Sequence, residues 1–161
     1  MSEARWSGGC LCGSCRYEFS SADPHAGYCH CNMCKRATGG AFATLVQAPL
    51  AAFEWTQGKA RIYRSSPIAI RGFCPDCGTP LFLRYDDDEL IRVTVGSLDH
   101  PQRVVPSSHY GVESRLGWAD IGLDLPQKKR ASASERARSK RFSAFDPISC
   151  IKVREATASI G

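Results

Sequence analysis

In Tyr28-Cys29-His30-Cys31-Asn32-Met33-Cys34-Lys35-Arg36, three cysteines fall within six residues, at the spacing C-x-C-x2-C. Three sulfurs can hold a metal ion and leave one coordination position open, which is the usual arrangement of a catalytic zinc. The alternative is a closed site, with His30, His25 or His109 as the fourth ligand. His30 is disfavoured because it alternates to the opposite side of an extended Cys29–Cys31 segment. Reactive cysteines without a metal are a further alternative.

A second cysteine motif, Cys74-Pro-Asp-Cys77-Gly78, has the C-x2-C-G pattern of a zinc knuckle. The knuckle needs two more ligands. Cys10 and Cys12 could supply them from an extended segment, in which residues i and i+2 point the same way. Cys12 and Cys15 could instead form a second C-x2-C pair. Periodicity favours Cys10 with Cys12, because Cys15 fits the core-facing alternation of the strand that follows. Four cysteines at one metal make a closed, structural site.

Short segments with strand-like alternation follow one another along the chain, and each ends in Gly, Pro or a charged turn. This spacing predicts a mainly β domain of antiparallel strands. A short helical turn is predicted at Asn32–Ala37, before Gly39 and Gly40. The acidic run Asp86–Glu89 is interpreted as a solvated hairpin tip rather than a cation site. The predicted strands are Cys15–Phe19, Phe42–Gln47, Arg61–Arg64, Ile68–Phe73, Leu81–Tyr85 and Leu90–Val95.

The positive charge of the chain, formally +5, is concentrated in its C-terminal part. Residues 126–161 hold nine Lys and Arg against three Asp and Glu, whereas residues 1–125 hold twelve against thirteen. We therefore do not expect the domain itself to bind the phosphates of a nucleic acid. Residues 127–161 have few large apolar side chains to bury, which predicts a disordered or loosely helical basic tail.

The N-terminal residues show no basic stretch followed by an apolar run, so we expect no signal peptide and a cytoplasmic location. In a reducing compartment, clustered cysteines serve metal binding or catalysis more often than cross-linking. No stretch of the sequence is apolar enough over the length needed to span a bilayer. We therefore expect a soluble protein without a membrane partner.

Three longer motifs carry these cysteines. They are Gly8-Gly9-Cys10-Leu11-Cys12-Gly13, the stretch from Cys29 to Arg36 with Gly39-Gly40-Ala41-Phe42, and Phe73-Cys74-Pro75-Asp76-Cys77-Gly78-Thr79-Pro80-Leu81-Phe82. In order and spacing they resemble the glutathione-dependent formaldehyde-activating enzyme (GFA) family, which also includes centromere protein V. The resemblance covers residues 5–126 and implies a β-tent fold with two zinc ions per chain. It implies a structural zinc on Cys10, Cys12, Cys74 and Cys77, and a catalytic zinc on Cys29, Cys31 and Cys34.

The resemblance also implies a carbon–sulfur lyase that adds the thiol of glutathione to formaldehyde, giving S-hydroxymethylglutathione, and that catalyses the reverse reaction. A zinc ion with one open position could lower the pKa of the incoming thiol or polarise the aldehyde carbonyl. We favour thiol binding, because three thiolates already weaken the Lewis acidity of the metal. A different thiol or small aldehyde is compatible with the same motifs.

Glutathione carries two carboxylates, so its binding surface is expected to offer cations near the zinc. Lys35 and Arg36 follow the last ligand and are predicted to contact substrate, as are Gly39 and Gly40 through a close backbone approach. An ordinary solvated turn is the alternative for both pairs. No general base is assigned from the sequence. The alternative function is a non-catalytic, zinc-stabilised binding module whose basic tail contacts nucleic acid or a protein partner.

Overall fold

The computed structural model describes residues 4–119 of the 161-residue chain. The basic tail predicted at residues 127–161 lies outside this range. The strands are Arg5–Gly9 (β1), Arg16–Ser20 (β2), Ala26–Cys29 (β3), Ala43–Pro49 (β4), Phe53–Gln57 (β5), Arg61–Ser66 (β6), Ala69–Phe73 (β7), Pro80–Tyr85 (β8), Leu90–Thr94 (β9) and Ser108–Tyr110 (β10). One α-helix is found in this range, Asn32–Thr38 (α1), with short 3-10 helices at Leu50–Ala52, Val95–Ser97, Pro101–Arg103 and Val112–Ser114.

The strands form two sheets. The smaller has the order β1-β2-β5 and the larger the order β10-β3-β4-β9-β8-β7-β6. The pairs are antiparallel except for β10, which pairs with β3 in parallel. The prediction of a mainly β domain is confirmed, and the acidic run Asp86–Glu89 does connect the antiparallel strands β8 and β9. No helix between residues 4 and 119 has the length and apolar character that crossing a membrane requires.

All six strands expected from the sequence are present, shifted by at most two residues at an end, and α1 covers the predicted helical turn. Four strands were not predicted. Two of them have little alternation of their own and depend on the neighbouring strand. These are β1, which contains two glycines, and β10, which has three residues. The strand β3 is four residues long. In β5, Phe53 and Trp55 do alternate with polar residues, and that signal was missed.

One face of the larger sheet packs against the smaller sheet and forms the main core. Val46 of β4 lies opposite Val93 of β9, which in turn lies opposite Phe82 of β8, so these three side chains share that face. They belong to the same buried cluster as Tyr17 and Phe19 of β2. Burial of several large side chains, each contributing about 1.5–3 kcal/mol, fixes the register of the strands.

The opposite face of the same sheet carries a second, smaller buried cluster. Leu45 of β4 and Leu83 of β8 point to this face, because each is offset by one residue from a core position. Cys34 of α1 packs there, and Cys29 and Cys31 lie against the same cluster. The alternation of the strands therefore separates the main core from the face that carries the three-cysteine motif.

An ion pair connects the smaller sheet to the segment after β9. Asp99 accepts hydrogen bonds from Arg16 Nη1 at 2.9 Å and from Ser7 Oγ at 2.6 Å. The Arg16 guanidinium holds the pKa of the Asp99 carboxyl below its usual value. The pair is about one third exposed, so it contributes only modestly to stability.

We expect Asp99→Asn to lower the free energy of unfolding by about 1 kcal/mol at pH 7, since a bidentate charged pair is lost from a partly screened position. Urea unfolding of the metal-loaded protein measures this change. In a double-mutant cycle with Arg16→Met, the double variant should be no less stable than the less stable of the two single variants. Additive losses would show that the two side chains act separately.

Two candidate metal centres

The first candidate centre is formed by Cys10, Cys12, Cys74 and Cys77, whose sulfur atoms all lie within 4.8 Å of one another. Cys12 Sγ is 3.5 Å from Cys10 Sγ and 3.8 Å from Cys74 Sγ. Sulfur ligands about 2.3 Å from a tetrahedral metal lie roughly 3.8 Å apart. The four-cysteine cluster therefore fits a metal ion with four sulfur ligands and needs no further group.

Two tight turns bring these sulfurs together. Gly13 and Gly78 have φ values of 84° and 74°, in the left-handed region where glycine is favoured. Their amides close the turns by donating to the carbonyl oxygens of Cys10 and Cys74, at 3.2 and 2.9 Å. The centre thus joins the turn between β1 and β2 to the turn between β7 and β8. Cys15 is not part of the cluster; its side chain lies in the core, 1% exposed.

The second candidate centre is formed by Cys29, Cys31 and Cys34, again with all sulfur atoms within 4.8 Å of one another. Cys29 ends β3 and Cys34 lies in α1, while Cys31 is the N-cap residue of that helix. The Cys31 sulfur accepts a hydrogen bond from the Cys34 backbone amide at 3.4 Å. A strand end, a cap and one helical turn are sufficient to direct three thiols to one point.

The strand β10 covers the loop between Cys29 and Cys31. The His30 amide donates to the Tyr110 carbonyl oxygen at 2.8 Å. A Cβ on Gly111, whose φ is 65°, would come within 2.9 Å of the Cys31 nitrogen. A glycine is therefore required at this position, both for its backbone conformation and for the close approach.

No histidine, aspartate or glutamate of residues 4–119 joins the three cysteines as a fourth ligand. His30 is 2% exposed and its Nε2 lies 2.9 Å from Nδ1 of His109. His25 lies 2.9 Å from the Ser108 hydroxyl. The histidines considered as a closing ligand are thus engaged elsewhere, and within the described chain the second cluster offers three ligands.

A buried arginine contacts this second cluster. Arg71 of β7 is 7% exposed, and its Nη2 donates to Cys34 Sγ at 3.2 Å. A buried cation requires a neighbouring anion, and none of the salt bridges among residues 4–119 involves Arg71. The pKa of Cys34 is lowered to about 5, chiefly by a hydrogen bond with Cys29 and further by Arg71. The pKa of Cys29 is raised, because Cys29 keeps the shared proton.

The sheet register places Arg71 in a row with a second arginine. Gln47 of β4 lies opposite Arg92 of β9, Arg92 lies opposite Leu83, and Leu83 lies opposite Arg71. All four residues therefore belong to the face that carries the three-cysteine cluster. A cavity of about 180 Å³ lies on this face and is lined by Cys29 together with Gln47, Leu83 and Arg92.

The other residues predicted to contact substrate lie around α1. Lys35 Nζ donates to the Ser114 carbonyl oxygen at 2.6 Å, so this ammonium ties the helix to the segment after β10. Arg36 is exposed. Gly39 ends α1 with φ at 69°, and Gly40 lines a separate open cavity of about 370 Å³ near β9. None of these four residues lines the cavity that contains Cys29.

Arg71 and Arg92 were not predicted as site residues. Arg71 is a buried charged side chain within an otherwise apolar predicted strand, which is unusual, and this was the available signal. Arg92 alternates with the core-facing Ile91 and Val93, so the strand pattern gives no signal for it. The meaning of the charge at Arg71 depends on which strands are neighbours, and the sequence does not give the strand order.

The family profile for the glutathione-dependent formaldehyde-activating enzyme matches residues 5–114. A Schizosaccharomyces pombe protein described as an uncharacterized lyase is 32% identical over 82 residues, which are 50% of this chain and 58% of that protein. The match thus spans less than two thirds of the relative. The crystal structure of a Rhodobacter sphaeroides protein has a TM-score of 0.51 and 24% identity, and the match covers 64% of this chain and 98% of that one.

The structural match supports a common fold, and the profile carries the assignment of the family. The profile covers more than half of the chain, and the matched segment contains both cysteine clusters. The resemblance noted from the motifs is confirmed: the chain belongs to the glutathione-dependent formaldehyde-activating enzyme family.

Proposed function

We propose that this protein is a zinc-dependent carbon–sulfur lyase that adds a thiol such as glutathione to formaldehyde or a related small aldehyde, and catalyses the reverse reaction. The observation that carries the proposal is a three-thiol cluster with no fourth ligand from the described chain, beside a cavity and separate from a closed four-thiol cluster. Family membership and the lyase description of the Schizosaccharomyces pombe relative agree with it.

Thiols are the only donors in both clusters, and their spacing suits zinc. Cys10, Cys12, Cys74 and Cys77 would hold a structural zinc, and Cys29, Cys31 and Cys34 a catalytic zinc. Bound there, the catalytic metal would supply an open position for an incoming thiol and would lower the pKa of that thiol, so that it is deprotonated at neutral pH.

The reaction is an addition and needs no oxidant or reductant. A bond forms between the thiol sulfur and the carbonyl carbon, and the π bond of the carbonyl breaks. The proton lost by the thiol goes to the carbonyl oxygen, which becomes the hydroxyl of the S-hydroxymethyl adduct. The reverse reaction returns the proton from that hydroxyl to the sulfur as the carbon–sulfur bond breaks.

The residues of the chain prepare the site for this addition. The hydrogen bond with Cys29 and the charge-assisted hydrogen bond from Arg71 both favour the thiolate form of Cys34 by lowering its pKa. The contact between His30 and His109 holds the loop between Cys29 and Cys31 against β10. Lys35, Arg36, Gly39 and Gly40 remain proposed substrate contacts at the helix, outside the cavity that contains Cys29.

We expect two zinc ions per chain, because the two sulfur clusters are separate and each has the spacing of a metal site. Metal analysis of the purified protein measures the stoichiometry. After cobalt substitution, glutathione should change the ligand-field spectrum of one metal and leave that of the other unchanged. A single metal per chain, or two metals whose spectra do not change with glutathione, would contradict the proposal.

A further inference from the structure

A cysteine of the three-thiol cluster, Cys29, lines a small cavity directly. Its volume is about 180 Å³. Drug-sized ligands occupy sites of roughly 300–1,000 Å³, so this cavity has room for a few heavy atoms and not for a tripeptide. The residues that line it include Cys29, Gln47, Leu83, Tyr85, Arg92 and Tyr110.

Arg92 is the one cation among the residues that line this cavity, and its guanidinium is paired with Asp88. Its guanidinium lies 5.0 Å from the centre of the Tyr85 ring, and Nη2 is 2.7 Å from the Asp88 carboxylate. These two contacts hold the side chain in one orientation. Its Nη1 is buried and has no hydrogen-bond partner within residues 4–119.

Asp88 engages Nη2 only, so a carboxylate that reached Nη1 would supply the acceptor that this nitrogen lacks. The guanidinium fork suits a carboxylate, because the two groups match in plane and spacing. Gln47 and Tyr110, whose side chains carry hydrogen-bonding groups, also line the cavity, and Leu83 adds an apolar side chain. A few polar groups within a largely apolar cavity are typical of a ligand site.

The position of Arg92 relative to the cluster favours a role in substrate binding over a purely structural role. Cys29 and Arg92 line the same small cavity, so a ligand with a sulfur at the cysteine cluster and a carboxylate at Arg92 must be short. Lys35, the cation that follows the cluster in sequence, is engaged with Ser114 and lines no part of this cavity. Arg92, by contrast, lines the cavity together with Cys29.

We propose that Arg92 is a specificity-determining residue that binds a carboxylate close to the thiol group of the substrate, so the site selects carboxylate-bearing thiols over neutral ones. The inference rests on the proposed function, since it assumes that a thiol binds at Cys29, Cys31 and Cys34. A larger thiol such as a peptide would place one carboxylate-bearing end in the cavity and the remainder outside it.

The test compares two thiols of nearly equal size, 3-mercaptopropionate and its neutral amide, 3-mercaptopropionamide. Binding of each to the cobalt-substituted protein is followed by the ligand-field spectrum, which reports the dissociation constant without turnover. We expect the carboxylate to bind about 10- to 100-fold more tightly than the amide, the range for a hydrogen bond to a charged group. In Arg92→Gln this preference should disappear, with the affinity for the amide unchanged.

Two further variants show whether the effect belongs to this cavity. Arg92→Lys keeps the charge and should retain part of the preference for the carboxylate. A variant that failed to fold would retain none of it. Arg64→Gln removes an arginine that pairs with Asp86 outside the cavity, and it should bind both thiols as the parent protein does. Circular dichroism of each variant checks the fold.

The outcomes separate this inference from the proposed function. If both thiols change the spectrum with equal affinity, or if Arg92→Gln weakens both equally, the inference is overturned and the thiol-binding function stands. If neither thiol changes the spectrum, the proposed function fails and the carboxylate site fails with it.

Discussion

Cys74→Ser is expected to unfold the domain. The four-cysteine cluster joins two turns that lie about sixty residues apart in the chain, so its metal closes a long loop as well as filling a site. The free energy of structural zinc binding is about 10–16 kcal/mol, and whole domains are stable by about 5–15 kcal/mol. Loss of this centre therefore removes a free energy comparable with the total stability. Circular dichroism and thermal unfolding of the purified variant measure the effect.

Cys34→Ser is the matched variant, and it should leave the domain folded while abolishing turnover. The second cluster lies within six residues, Cys29 to Cys34, so its metal ties no distant segments together. Metal content should fall by one ion per chain and the metal of the four-cysteine cluster should remain. Cys15→Ala is the control, because Cys15 is as buried as Cys34 but belongs to neither cluster. If Cys34→Ser unfolds and Cys74→Ser does not, the structural and catalytic roles are reversed.

The cysteine clusters could be predicted from the sequence because the information is local. Spacings of two or three residues determine which sulfurs can reach one metal. The structure brings Cys10 and Cys12 to the knuckle and leaves Cys15 in the core, which is the arrangement that strand alternation favoured. Helix α1 was predictable for the same reason, since its cap and its end at Gly39 are features of adjacent residues.

Features that depend on strand order could not be predicted. The parallel pairing of β10 with β3 joins segments about eighty residues apart, and three residues carry no periodic signal. Arg71 and Arg92 become neighbours of one cluster only through the register of β4, β9, β8 and β7. The sequence predicted cations next to the cluster in the chain, at Lys35 and Arg36. The structure shows two others next to it in space.

Removal of Arg71 is expected to weaken metal binding at the three-cysteine cluster and to leave the four-cysteine cluster unchanged. Three thiolates and a divalent metal carry a net negative charge, and Arg71 is the buried cation that contacts them, through Cys34. In Arg71→Met the apolar volume is largely kept, but the charge and the hydrogen bond to the sulfur are lost. A hydrogen bond to a charged group contributes about 1.5–3 kcal/mol, so metal affinity at this centre should fall about 10- to 100-fold.

Competition with a zinc chelator, resolved into its two metal-release steps, measures this effect. Arg71→Lys should restore part of the affinity, because an ammonium supplies the charge without the planar fork of the guanidinium. Arg64→Met is the control, since Arg64 pairs with Asp86 at the surface and contacts neither cluster. If Arg71→Met weakens both centres equally, the arginine stabilises the sheet as a whole. Weakening confined to the three-cysteine centre means that one buried cation sets the charge of the site at which we propose that a thiol binds.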